Sequence, residues 1–228
     1  RKHAGKAPGL RVRLVKGIPW GAGLGGGSSD AAVLLLFLRN LLDRQNGGGL
    51  LSDGELAAMA CEVGADVPFF LTRTPMRVTG IGDKLTPCSV SLPGSEILLV
   101  TPDIRVSTPW AYKAFDGMVP GFSVKPASPA QTVPATLTTT HEEDKGVSLL
   151  CTPGNAFVND LETAVFPRYP ELADIKRSLL ELGAAAASMS GSGSSIFGIF
   201  SDAAVARSAE RELSKNWPVH HLHIRTGM

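Results

Sequence analysis

Ile18-Pro-Trp-Gly-Ala-Gly-Leu-Gly-Gly-Gly-Ser-Ser-Asp30 runs straight into Ala31-Ala-Val-Leu-Leu-Leu-Phe-Leu38, a wholly apolar run that reads as a helix. Glycine takes positive φ without a Cβ clash, so Gly21-Ala22-Gly23-Leu24-Gly25-Gly26-Gly27 can fold back and turn successive N–H groups into one concavity. The following helix, expected from about Ser29 to Leu42, adds unpaired first-turn amides and the positive end of its dipole. Pro19 through Ser29 therefore reads as a seat for phosphate. Ser28, Ser29 and Asp30 are placed to cap that helix. The alternative use of Ser29 is contact with phosphate or Mg²⁺, with Asp30 acting through water. Magnesium is expected because no lysine lies in the loop to neutralise β- and γ-phosphates.

The same glycines admit other readings. Gly21 to Gly26 fits G-x-G-x-x-G, but a dinucleotide-binding turn follows a buried strand. Here Arg11-Val-Arg13-Leu-Val-Lys16 alternates charge with apolarity, and Pro19 interrupts the approach. Asp43, at the spacing of the ribose-binding acid, falls at the end of the helix. No Lys-Ser or Lys-Thr closes the glycines, which excludes a Walker loop. A flexible linker would not need an apolar helix fused to it.

Around this stretch the chain reads as α+β. Its 228 residues, 43% hydrophobic and 19% charged, suffice for one large domain or two small ones. A net charge of +1 and the lack of a polybasic run argue against a nucleic-acid surface. Ala31 to Leu38 is far short of the roughly 20 residues of a membrane span. Cys61, Cys88 and Cys151 are too widely spaced for a metal knuckle, so a reducing compartment is the simplest inference. His220, His221 and His223 alternate as on a half-exposed strand and read as surface decoration.

In order, Leu10, Val12 and Leu14 predict a strand with one wet face. The apolar helix is expected to be buried on nearly every side. Ser52-Asp-Gly-Glu55 is a capping box for a helix with Leu56, Met59, Ala60 and Val63 on one stripe, ending at Gly64. Ala65 to Leu71 predicts an apolar strand, and Met76 to Asp83 another that ends in a turn. A domain boundary is placed near Ser91-Leu-Pro-Gly-Ser95, giving lobes 1–92 and 93–228. Ile97 to Val100 is a buried strand, and Thr108 caps a helix with Pro109 at its first position. Residues 119–152 read as a long loop or insertion. A helix follows around Ala156 to Phe166. Another starts near Pro170, turns Leu172, Ile175, Leu179 and Leu182 inward and stops at Gly183. Strand 195–200, a helix from Asp202 to Lys215 and a strand from Val219 to Arg225 close the chain.

Asp66 lies between the helix-ending Gly64 and an apolar segment, where a carboxylate can orient an alcohol and take its proton. The plainer role is to tie down the turn before Pro68. Ser190-Gly-Ser-Gly-Ser194 is either a second glycine strap over phosphates or a hairpin turn.

Three segments together, Ile18 to Asp30, Gly64-Ala-Asp-Val-Pro-Phe-Phe70 and Met189-Ser-Gly-Ser-Gly-Ser194, resemble the signatures of the GHMP kinases. Gly80-Ile-Gly-Asp83, Pro102-Asp-Ile-Arg-Val-Ser-Thr108 and Asn159-Asp-Leu-Glu162 extend the likeness, which covers about Val12 to Phe200. The resemblance implies a two-lobed fold, with a ribosomal-S5-like N-terminal lobe, incomplete here, and a ferredoxin-like C-terminal lobe. It further implies transfer of the ATP γ-phosphate to the 2-hydroxyl of a cytidine-diphosphate-linked methylerythritol, for isoprenoid precursors. Carried over, Pro19 and Gly21 to Ser29 hold ATP, Asp66 is the catalytic base, and Gly191, Ser192 and Gly193 border phosphates and substrate. Tyr112 takes the position that stacks on cytosine, with Trp110 close by. Homoserine-, mevalonate- or galactose-type activity, and an ATP-binding module without catalysis, are the alternatives. Nothing before Val12 resembles the family's lysine-bearing opening segment, and Lys2, Lys6 and Lys16 lack its surroundings. A truncation, or a separate polypeptide supplying the first strands, is the expectation. The compartment implied is bacterial cytoplasm or plastid stroma.

Overall fold

Gly25, at φ 62°, is the hinge on which the glycine loop becomes a helix. The computed structural model describes residues 10–19, 21–49, 51–72, 74–80, 82, 84–92, 94–118, 148–150 and 157–223. The chain divides into two units. Among the described residues, the first holds 10–18 together with Gly25–Ser89, and the second holds Pro19–Leu24 and the chain from Val90 onward.

In the first unit, α1 (Gly26–Asn46) begins three residues before the expected Ser29. Its first turn is therefore built from Gly26, Gly27 and Ser28. The capping box before α2 (Asp53–Val63) forms as expected, with Ser52 accepting from Glu55 N–H and Glu55 accepting from Ser52 N–H. Leu56 and Ala60 of its stripe are buried, whereas Val63 is exposed. Residues 65–71 form no strand. Pro68, which fixes its own φ and lacks an N–H, opens a 3₁₀ helix (Pro68–Leu71) instead. Val67 joins Ala32 and Ala60 in a small core against which Leu35, Phe70 and Leu71 pack. The hairpin β1 (Met76–Thr79) and β2 (Lys84–Pro87) completes this unit.

Two sequence expectations fail here for one reason. Residues 10–17 join no strand ladder, and Leu10, Val12 and Leu14 remain exposed. Of α1, Ala32 is fully buried but Val33 and Phe37 are 66% and 56% exposed. Apolar patterning says what a segment can bury; burial also needs a covering surface, which these faces lack among the described residues.

β3 (Ser89–Ser91) leads onward, and β5 (Ser148–Leu150) pairs with it. The second unit is built on an antiparallel sheet of β4 (Glu96–Val100), β6 (Ala186–Met189), β7 (Ile196–Phe200) and β8 (Val219–His223), in the order β6-β7-β4-β8. Helix α5 (Pro170–Glu181) lies against β6 and β7, and α6 (Ala203–Leu213) against β4 and β8. This β-α-β-β-α-β connectivity is that of the expected ferredoxin-like lobe. Leu98, Leu172, Ile175, Leu179, Ile196 and Phe200 are fully buried at its centre.

Helix α3 (Thr108–Met118) precedes the region of the expected insertion, of which residues 119–147, 151 and 152 lie outside the described residues. Ser107 carbonyl already accepts from Ala111 N–H, so Thr108 sits in the first turn rather than capping it. The helix expected over 156–166 shrinks to one turn, α4 (Glu162–Val165).

Candidate functional site

In the second unit, the two glycine-serine stretches lie side by side. Ser190 Oγ donates to Gly23 carbonyl at 2.9 Å, and Ser195 N–H donates to Ala22 carbonyl at 3.2 Å. The approach is so close that a Cβ on Gly23 would stand 2.0 Å from Ser190 carbonyl oxygen. Gly23 also holds φ 73°, so this position requires glycine twice over. Residues 190–194 do form the turn between β6 and β7, and the same turn is the strap against the glycine loop.

The strap is held from its other side by residues of Asn159-Asp-Leu-Glu162. Asn159 Nδ2 donates to Met189 carbonyl at 2.8 Å and Gly191 carbonyl at 2.7 Å. Glu162 Oε1 accepts from Met189 N–H at 2.8 Å and Ser188 Oγ at 3.1 Å, while its Oε2 accepts from Lys176 Nζ at 2.5 Å. Ser192, 7% exposed, shares a hydrogen bond of 2.7 Å with Thr108 Oγ1. These positioning roles were invisible in the sequence, where Asn159 and Glu162 stand about 30 residues from their partners.

A cavity of about 680 Å³ opens beside the strap, its walls including Tyr112, Asp116, Asn159, Asp160, Ser190 and Gly191. Tyr112 is 54% exposed on α3. Trp110 is otherwise engaged: it packs against the core, meets Tyr169 edge-on at 5.8 Å and lies under Arg168 at 4.9 Å. Of the two aromatics, Tyr112 is the one lining the cavity.

In the first unit, no side chain caps α1 and no acid occupies its first turn. Its opening amides therefore have no capping side chain, and no acid of that turn offsets the helix dipole. Ser29 Oγ donates to Gly26 carbonyl at 2.9 Å, which spends its proton and leaves its lone pairs for a cation. Lys16 pairs with Asp30, and its Nζ lies 3.5 Å from where a Gly26 Cβ would stand. Lys16 does not match the family's lysine-bearing segment in sequence, and folding nonetheless places its cation at the start of α1. Asp66 is exposed in the turn at 65–67, directly before the Val67–Phe70 segment. Phe70 in turn closes on Gly25, whose Cβ would fall 2.5 Å from the ring. Asp66, Lys16 and the start of α1 thus belong to one unit.

Family models describe these same regions: "GHMP kinases N terminal domain" matches residues 1–73 and "GHMP kinases C terminal" matches 150–219. The chain belongs to the GHMP kinase family. Among curated GHMP kinases, a "4-diphosphocytidyl-2-C-methyl-D-erythritol kinase" of Solidesulfovibrio magneticus is 42% identical over 96% of this chain and 69% of its own length. The Geobacter sp. protein of the same name is 38% identical over 99% of this chain and 72% of its own. A crystal structure of 4-(cytidine 5'-diphospho)-2C-methyl-D-erythritol kinase superposes with a TM-score of 0.69 at 32% identity, covering 96% of this chain and 72% of that one. Homoserine kinase from Cytophaga hutchinsonii, at 16% identity and a TM-score of 0.57, shares the GHMP fold. No helix among the described residues is long and apolar enough to cross a membrane.

Proposed function

We propose that this GHMP kinase transfers the γ-phosphate of ATP to the 2-hydroxyl of 4-diphosphocytidyl-2-C-methyl-D-erythritol. The observation that carries the reading is the strap at 190–194, which is bonded to the Gly21–Leu24 loop and also walls the cavity lined by Tyr112. One short segment then borders both the donor's phosphates and the acceptor. Likeness to the named relatives, at about 40% identity, supports the acceptor's identity.

In this reading residues 1–92 form the ATP-binding lobe and 93–228 the second lobe. Backbone amides from Gly21 to Ser29 hold the phosphates, and Lys16 offsets part of their charge. Ser29 Oγ would be the oxygen that holds Mg²⁺, with Asp30 supporting it; such hard oxygens suit the ion. Bound with the nucleotide, Mg²⁺ supplies neutralisation of the β- and γ-phosphate charge. The acceptor oxygen forms a bond to Pγ while the bond from Pγ to the β,γ-bridging oxygen breaks, and the acceptor's proton passes to Asp66. Tyr112 stacks on the cytosine, and Gly191, Ser192 and Gly193 border phosphates and substrate. The setting is bacterial cytoplasm, or stroma in a plastid-bearing cell.

Asp66→Ala tests the chemistry. Turnover is expected to fall by about 10²- to 10⁴-fold, the usual worth of a general base, with ATP affinity retained. Unchanged turnover would remove Asp66 from the mechanism.

A further inference from the structure

Away from the strap and its cavity, β8 carries a cluster that phosphoryl transfer does not use. His221 and His223 project on the same side of this strand, two residues apart, and their rings lie 4.9 Å apart. In register, His223 pairs with Glu96 of β4. Glu96 Oε2 lies 2.5 Å from His223 Nδ1 and 3.2 Å from His221 Nε2, so one carboxylate oxygen meets two imidazoles. From α6, Glu210 Oε2 stands 2.9 Å from His221 Nδ1.

The protons decide what this arrangement is for. Glu210 takes the Nδ1–H of His221, which in the neutral ring leaves a lone pair on Nε2. That Nε2 is buried and makes no hydrogen bond, although Glu96 is within 3.2 Å. A nitrogen lone pair facing a carboxylate oxygen is repulsive unless a proton or a metal ion lies between them. The proton makes His221 an imidazolium between two carboxylates, and the metal ion leaves the ring neutral. A carboxylate bonded to the far nitrogen of a histidine is the usual support of a metal-bound imidazole, fixing its tautomer and ring plane. The ligand atoms of Glu96, His221 and His223 all fall within 4.8 Å of one another. On a tetrahedron of zinc-to-ligand bonds, neighbouring donors are separated by roughly 3.4 Å. The 3.2 Å between Glu96 and His221 is close to this, whereas the 2.5 Å between Glu96 and His223 has to open as the exposed His223 ring turns to the ion.

We propose that Glu96, His221 and His223 bind a divalent transition-metal ion of the Zn²⁺ class, with Glu210 orienting His221. Two imidazoles and one carboxylate select Zn²⁺, Ni²⁺ or Co²⁺ over Mg²⁺, which takes oxygen donors and octahedral geometry. The site is separate in chemistry from the magnesium of the kinase reaction. Its place gives it a structural role: β8 is the edge strand of the four-stranded sheet, and the ion ties it to β4 and, through Glu210, to α6.

The untagged chain titrated with Zn²⁺ alone tests this, with binding followed by calorimetry and by the melting temperature. One equivalent should bind and raise the melting temperature, and Co²⁺ in its place should give the visible bands of a low-coordinate site. His223 is 71% exposed at its side chain, so His223→Ala should fold normally. It should weaken Zn²⁺ binding by about 100-fold or more, since even loss of an outer-shell partner costs 10- to 100-fold. His220 is the internal control: it alternates to the other face and bonds Thr101 Oγ1 at 3.1 Å, so His220→Ala should bind Zn²⁺ as the parent does. Absence of stoichiometric binding in the parent, or equal binding by His223→Ala, would overturn the proposal.

Discussion

At Asn159 a single amide holds two carbonyls, Met189 and Gly191, that begin the strap. Removing it frees the segment that the proposed mechanism needs in register. Asn159→Ala should lower kcat by about 10- to 100-fold, the scale expected for a misplacement near 1 Å, while the melting temperature changes little. Steady-state assays alongside thermal unfolding check this; an unchanged kcat would show that the strap keeps its place without Asn159. The sequence displayed Asn159-Asp-Leu-Glu162 as a likeness without a job, because its hydrogen-bond partners lie on a different element. Gly23 was legible as a loop glycine, but not the reason for it, which is a backbone oxygen 2.0 Å from its missing Cβ. The place of Lys16 beside the start of α1 was hidden for the same reason: sequence neighbours do not reveal which cation reaches a helix start.

Elements were most legible where a local interaction defines them. The Ser52–Glu55 capping box is complete within four residues, and Asp202 caps α6 by accepting from Ala204 N–H at 2.6 Å and Val205 N–H at 3.0 Å. Those bonds, that from Val205 foremost, hold the Asp202 carboxyl below its ordinary value of 3.8. A carboxyl depressed by folding adds stability above its unfolded pKa and loses that contribution as pH falls through the folded value. Asp202→Asn keeps a capping acceptor but removes the charge. Its deficit in melting temperature should be steady near neutrality and shrink below about pH 3.8; a deficit that does not change with pH would contradict this. The 68–71 segment misled because Pro68 and two phenylalanines satisfy strand composition and 3₁₀ geometry equally well. Exposure separates elements too. Leu98→Ala, fully buried in β4, should cost about 2–5 kcal/mol, whereas Phe37→Ser on exposed α1 should stay within about 0.5 kcal/mol. Denaturant titration of both variants checks the contrast, and comparable losses would place Phe37 in a core.

For the whole molecule, three short motifs in fixed order were enough to indicate the family, and the α+β class with a ferredoxin-like lobe follows from the strand order now seen. Legibility ended where burial depends on what covers a surface, as for Leu10, Val12, Leu14 and the outer face of α1. The cavity of about 680 Å³ also lay beyond composition and spacing, since it is set by residues from α3, the 157–161 segment before α4, and β6, β7 and their turn together. The decisive measurement is ATP consumption by the 228-residue chain with Mg²⁺ and a panel of 4-diphosphocytidyl-2-C-methyl-D-erythritol, homoserine, mevalonate and galactose. The account predicts turnover with the cytidine compound alone, yielding its 2-phosphate. ATP binding without turnover, or phosphorylation of another acceptor in its place, would contradict it.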